Sequence, residues 1–215
     1  MTEPFLIAYA QTVGREGAWS EDTDDPGKGT WKGISEVMDP ESPIWPIVNK
    51  YRELPGFPGN MKNDPELEAA TQSTYRRKYW KLMGLDMIKS LVIQCKLFDS
   101  GVNVGTGTVS LYLRIILNSF NRKGTHWKDI VVTTFMDIDA LNAVNAMLLE
   151  PRGEDVLYSE LNGWQRVYYT IGRGPFQYLV DQISKLTPDS WRETFAWGWE
   201  ENRTPDYAEA KQSLA

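Results

Sequence analysis

Nine positions separate Glu16 from Asp25 in the run 15–35, "REGAWSEDTDDPGKGTWKGIS". Two carboxylates that can face each other are the minimum equipment for breaking a glycosidic bond. One, kept protonated by partial burial, gives its proton to the leaving oxygen. The other, ionised, stabilises positive charge at the anomeric carbon or orients a water. Glu16 suits the acid, because it follows an amphipathic run and the small Gly17 and Ala18 leave room for a substrate. Asp25 opens an Asp-Pro-Gly turn that can fold back over Glu16, and Thr30 offers a hydroxyl to hold a water. The same residues have a plainer reading. Glu21, Asp22 and Asp24 make a solvated acidic loop, Asp before Pro-Gly is an ordinary turn residue, and a Glu at a helix C-terminus opposes the dipole and prefers solvent. Spacing alone leaves both readings open.

The rest of the composition narrows the chemistry. The chain of 215 residues holds 1 His and 1 Cys. A zinc site needs several such ligands, so neither metal nor cofactor is expected. A serine triad would have to use His126, which stands in a loop-like setting without a nucleophile motif. Cys95 has no intrachain disulfide partner, which suits a reducing compartment. With a net charge of -6 and no dominant basic patch, nucleic acid is not an expected partner, and an anionic polymer would have to be recognised by a shaped groove. No apolar run approaches the roughly 18 residues of a membrane span, and the N-terminus lacks the features of a signal peptide. Aromatic residues reach 12%, with 9 Trp and 10 Tyr; they either fill a core or stack on sugars.

The elements that would position these residues read as mainly α. Phe5, Leu6, Tyr9, Ala10 and Val13 recur at helical spacing over 4–15, with Pro4 at a helix start. Turn signals and β-formers over 18–35 predict a small hairpin or sheet. Residues 39–65 hold most of the prolines and read as a long irregular connection with one helical turn. Asp64-Pro65 opens a helix. Further helices are expected over 85–103, where Ile88, Leu91, Val92, Cys95 and Phe98 share a face, and then over 108–122, 137–148, 154–172, 175–186 and 189–203.

These motifs resemble glycoside hydrolase family 108. Its pattern runs E-G-G-Y, an acidic stretch, then D-P-G-G-x-T-x-x-G-I, and Glu16, Asp25 and Thr30 fall on its Glu, Asp and Thr. The order is also similar to the catalytic trio of small phage muramidases. "STYRRKYW" at 73–80 and "LFDSGVNVGTGTVSLYLRIILN" at 97–118 resemble two further helical motifs of the family. Ala18, Lys28, Gly29, Lys32 and Arg114 depart from the pattern, and "NRKGTHWKDIVVTT" stands where a Gly-Pro turn belongs.

The resemblance implies a lysozyme-like α+β fold, a helical bundle lobe with a small N-terminal sheet lobe. It implies a catalytic region over 1–100 and a helical region over 101–186 similar to the family's peptidoglycan-binding part, packed with it into one unit; 187–215 is a tail. The expected activity is cleavage of the β-1,4 bond between N-acetylmuramic acid and N-acetylglucosamine in bacterial peptidoglycan. In it Glu16 is the acid, Asp25 the stabiliser and Thr30 the holder of water. Trp31, with Trp45, is a candidate for stacking on sugar, and Asp99 and Asn103 for lining the cleft or capping the loop before the next helix. A phage endolysin without stable membrane insertion, held in the host cytoplasm until a holin-type protein releases it, fits these features. A lytic transglycosylase using Glu16 alone and a non-catalytic wall-binding protein are the alternatives.

Overall fold

The computed structural model describes residues 2–15, 19–20 and 29–183. The chain divides into two compact units, Met1–Leu82 and Met83–Ala215. The boundary at residue 100 expected from the sequence falls inside a helix, Leu91–Val104.

The first unit begins with α1 (Pro4–Thr12), which a 3-10 turn, Val13–Arg15, continues. Pro4 occupies the first helical position, where its missing N–H has no helical partner to lose. Phe5, Ala8, Tyr9, Thr12 and Val13 are the buried face. Three two-residue strands follow, β1 (Trp19–Ser20), β2 (Thr30–Trp31) and β3 (Ile34–Ser35), in one antiparallel sheet of that order. The expected small sheet is therefore present. The β2–β3 connection is the two-residue turn Lys32-Gly33, with φ +44° and +79°. Positive φ at both positions matches the right-handed twist of a tight hairpin, and Gly33 adopts it without a steric penalty.

The proline-rich connection is more ordered than its composition suggests. It carries α2 (Ile44–Arg52), nine residues long, and a 3-10 turn at Gly59–Met61. Pro46 sits in the first turn of α2, where its missing N–H removes no helical hydrogen bond. Ile44, Trp45, Ile47 and Val48 turn inward. The helix α3 (Pro65–Tyr75) starts at Asp64 as anticipated, with the Asp64 carboxylate accepting from Leu67 N at 2.6 Å. It runs on into a π-helical turn, Arg76–Lys81.

Aromatic rings weld α1 to this helix: Phe5 meets Trp80 edge-on at 5.7 Å and Tyr9 meets Tyr75 at 5.6 Å. Arg76 grips Glu3 with both guanidinium nitrogens and lies 4.1 Å from the centre of the Phe5 ring. Asp39 is approached by Lys78 at 3.3 Å and Arg77 at 3.6 Å.

The second unit holds α4 (Leu91–Val104), α5 (Thr106–Phe120), α6 (Ile138–Met147), α7 (Gly153–Ile171) and α8 (Arg173–Ile183). Helices were expected in each of these stretches; the helix expected over 189–203 lies outside the described residues. The buried face of α4 differs from the anticipated one. Ser90 caps the helix, accepting from Ile93 N at 3.1 Å. Leu91 and Val92 thereby fall in the exposed first turn, at 42% and 48% exposure, while Ile93, Leu97, Phe98 and Val104 are buried. The same face buries Lys96 and Ser100, both of which donate to the Gln165 side-chain oxygen from α7.

Arg114 explains two departures from the family pattern at once. It is 1% exposed, and its guanidinium donates to Val131 O at 2.8 Å and Phe135 O at 2.9 Å while pairing with Asp137 at 2.7 Å. Asn118 adds a two-way bond to the Ile130 backbone at 2.8 and 2.9 Å. The unusual arginine thus holds the unusual 121–137 segment on α5.

Candidate functional site

The small sheet has a strict division of faces. Trp19 registers with Trp31 and Trp31 with Ile34, while Ser20 registers with Thr30 and Thr30 with Ser35. Directly opposed residues share a face and successive residues alternate. One face is therefore an apolar row, Trp19–Trp31–Ile34, and the other a hydroxyl row, Ser20–Thr30–Ser35. Trp31 and Ile34 are buried, whereas Thr30 and Ser35 are half-buried and Ser20 is exposed.

Thr30, the predicted water-holding residue, is the centre of the hydroxyl row. Trp31 lies on the opposite face. It is 2% exposed, and its indole N–H donates to Thr71 Oγ1 at 2.9 Å. The ring is a core element that braces Thr30 and offers no open face to a sugar in this conformation. Trp45 is likewise 3% exposed, donating to Asp39 O at 2.7 Å.

The hairpin turn beyond Trp31 is fastened to α3. Lys32 pairs with Glu68 at 2.7 Å, and Tyr75 donates its hydroxyl to Lys32 O. Burial works to raise the Glu68 carboxyl, but its hydrogen bonds with Lys32 and Gln72 outweigh that and hold it below the ordinary value. The Arg52 hydrogen bonds hold Glu36 down as well, against a smaller opposing effect of burial. Neither carboxyl is poised to give up a proton near neutral pH, so neither of these two neighbours of the sheet is suited to act as a general acid.

Glu16 and Asp25 lie outside the described residues. What is described is where the chain delivers them: the 3-10 turn Val13–Arg15 ends one residue before Glu16, β1 starts three after it, and Gly29 follows Asp25 by four. Asp99 and Asn103 belong to the second unit. They sit one turn apart on α4, within the expected helix, and Asn103 Nδ2 donates to Asp99 O at 2.8 Å and to its carboxylate at 3.2 Å. His126 accompanies Glu150 at 2.6 Å. Among the described residues no cluster of His, Cys, Asp and Glu could hold a metal ion, and no helix is long and apolar enough to cross a membrane.

Ser20 and Ser35, the flanks of Thr30, were not singled out from the sequence. Their signal is present as three dipeptides that each join a hydroxyl residue to an apolar one, Trp19-Ser20, Thr30-Trp31 and Ile34-Ser35, and it becomes readable only once the register is known.

Residues 9–105 match the family model described as Glycosyl hydrolase 108. No curated protein matches the chain in sequence. Among solved structures, the chain is similar to one described as the structure of Brucella abortus SagA, with 15% identity, 94% of this chain and 98% of that chain covered, and a TM-score of 0.48. That likeness is too distant to carry function.

Proposed function

We propose, from the match of residues 9–105 to the Glycosyl hydrolase 108 family model, that the chain is a glycoside hydrolase that degrades bacterial peptidoglycan as an N-acetylmuramidase. The observation that carries this reading is that the matched span contains Glu16, Asp25 and Thr30, whose order and spacing resemble the family's motif. The placement of Thr30 supports it, at the centre of a hydroxyl row and braced from behind by Trp31.

In the proposed reaction Glu16 gives its proton to the oxygen that links N-acetylmuramic acid to N-acetylglucosamine. Positive charge develops at the anomeric carbon of the muramic sugar, and the Asp25 carboxylate stabilises it or orients the incoming water. Thr30 accepts a hydrogen bond from that water. Water adds to the anomeric carbon and passes a proton to one of the two carboxylates, and the product carries a reducing muramic acid end. Asp99 and Asn103 are proposed sugar contacts from α4. The biological setting proposed is phage-type lysis, with the protein made in the host cytoplasm and let through the membrane by a holin-type partner; the single cysteine, which needs no oxidising compartment, is in keeping with it.

Digestion of defined peptidoglycan, followed by mass analysis of the new ends, tests the activity. Reducing N-acetylmuramic acid ends are expected. 1,6-Anhydro ends, or no new ends from a folded protein, would overturn the muramidase reading.

A further inference from the structure

Gly29, the residue before Thr30, sits inside a cage. A Cβ built on it would lie 2.6 Å from Arg52 Nη2, 2.8 Å from Trp19 Cη2 and 3.1 Å from Glu36 Oε2. The first two distances are shorter than real Cβ contacts and the third is tighter than most, so three side chains close on the backbone of β2 where it enters the sheet. The cage is held from within. Arg52, the last residue of α2, donates from both terminal nitrogens to the two oxygens of Glu36, at 3.1 and 2.7 Å. The Arg52 guanidinium also lies 5.4 Å from the centre of the Trp19 ring, and Trp19 meets Phe57 edge-on at 5.0 Å. Asn49 Oδ1, one turn back on α2, accepts a third bond from Arg52 at 2.6 Å. Glu36 returns to the strand through its own backbone N–H, which donates to Gly29 O at 2.9 Å.

We infer that Arg52 and Glu36 are positioning residues for the reaction, and that the proline-rich segment supplies Arg52. The inference rests on the proposed muramidase reading. Two-residue strands have little pairing of their own to fix a geometry. A planar guanidinium that binds a carboxylate at two points and stacks on an aromatic ring holds direction as well as distance. This one joins the start of β1, the start of β2 and the residue after β3. It therefore fixes Trp19, three residues beyond the proposed acid, relative to Thr30, the proposed water holder. Among the described residues Arg52 acts through Gly29 and Trp19. Turnover is sensitive to such placement, since a shift of about 1 Å can lower a rate by roughly a hundredfold.

The test measures turnover on soluble glycan strands for the wild-type chain, Arg52→Ala, Arg52→Lys and Glu36→Gln. In parallel, the Glu16→Gln chain alone, with Arg52→Ala and with Glu36→Gln is titrated with the same strands to read binding. Arg52→Ala and Glu36→Gln are each expected to lower kcat by about tenfold or more, with glycan binding within about twofold of the parent. Arg52→Lys, which keeps the charge but loses the two-point geometry, should recover part of the rate. Unchanged kcat in Arg52→Ala would overturn the inference. So would a fall in kcat that matches a loss of folded protein measured by thermal melting, because that is a structural role only. A wild-type chain that releases no glycan ends would remove the underlying reading and the inference with it, a result distinguishable from the others because no variant is needed to see it.

Discussion

Trp31 donates its indole N–H to Thr71 across 40 positions of chain, and the Thr71 hydroxyl passes the bond on to Leu67 O at 2.7 Å. The sheet that carries Thr30 is thereby pinned to α3 from its buried side. Strands of two residues do not persist on pairing alone, so this anchor, with the Lys32–Glu68 pair at the hairpin tip, is what makes the sheet a fixed platform.

Replacing Thr71 with Val removes the acceptor and leaves the Trp31 N–H buried without a partner. The expected loss is about 1–3 kcal/mol of stability, read as a lower urea midpoint with an unchanged slope. A variant as stable as the parent would show that the bond does not hold the sheet.

Arg114 makes a second anchor, in the other unit. Arg114→Leu keeps an apolar body on α5 but abandons the Val131 and Phe135 carbonyls and the Asp137 carboxylate. Lost charge-assisted hydrogen bonds of this kind are worth about 3 kcal/mol together. Hydrogen exchange should speed up first across 121–137; exchange rates equal to the parent's there would contradict the assignment.

Acid should weaken the first unit. Asp64 is held below its ordinary 3.8 by the Tyr51 hydroxyl and the Leu67 N–H, and Glu36 below its ordinary 4.5 by Arg52, against a smaller opposing effect of burial in each case. Unfolding returns both groups to their ordinary values, so near pH 4 the unfolded chain binds more protons than the folded one. Stability from these groups is present above those values and is lost as pH falls through the depressed ones. Denaturation between pH 6 and pH 3 should show a steeper decline for the parent than for Glu36→Gln or Asp64→Asn; equal declines would contradict it.

Thr30 offers a chemical prediction. Thr30→Ser keeps the hydroxyl on the Ser20–Ser35 row and should keep most of the rate, whereas Thr30→Val keeps the shape and should lose about tenfold or more in kcat. Equal rates for the two would remove the hydroxyl from the mechanism.

Much of the fold is legible in local chemistry. Asp64-Pro65 announces a helix because capping and proline geometry act within one turn, and the structure has the cap. α2 was hidden because three prolines at 40, 43 and 46 look like a broken segment; whether Pro46 breaks a helix depends on its falling in the first turn, which sequence does not number. Spacing alone puts Leu91 and Val92 on the buried face of α4, but the cap at Ser90 leaves both in the exposed first turn. Trp31 illustrates the limit for the site. A tryptophan that fills a core and one that stacks on a sugar are the same residue type, and only Thr71, 40 positions away, separates them. The Arg52–Glu36 clamp was out of reach for the same reason, since it needs the strand register and the end of α2 together.

The measurement that bears most directly on the central claim is the digestion of purified peptidoglycan by the wild-type chain and by Glu16→Gln, matched for thermal melting. New reducing N-acetylmuramic acid ends are expected from the wild type, and a rate lower by roughly 10²–10⁴-fold from the variant. Equal rates from the two folded proteins would contradict it.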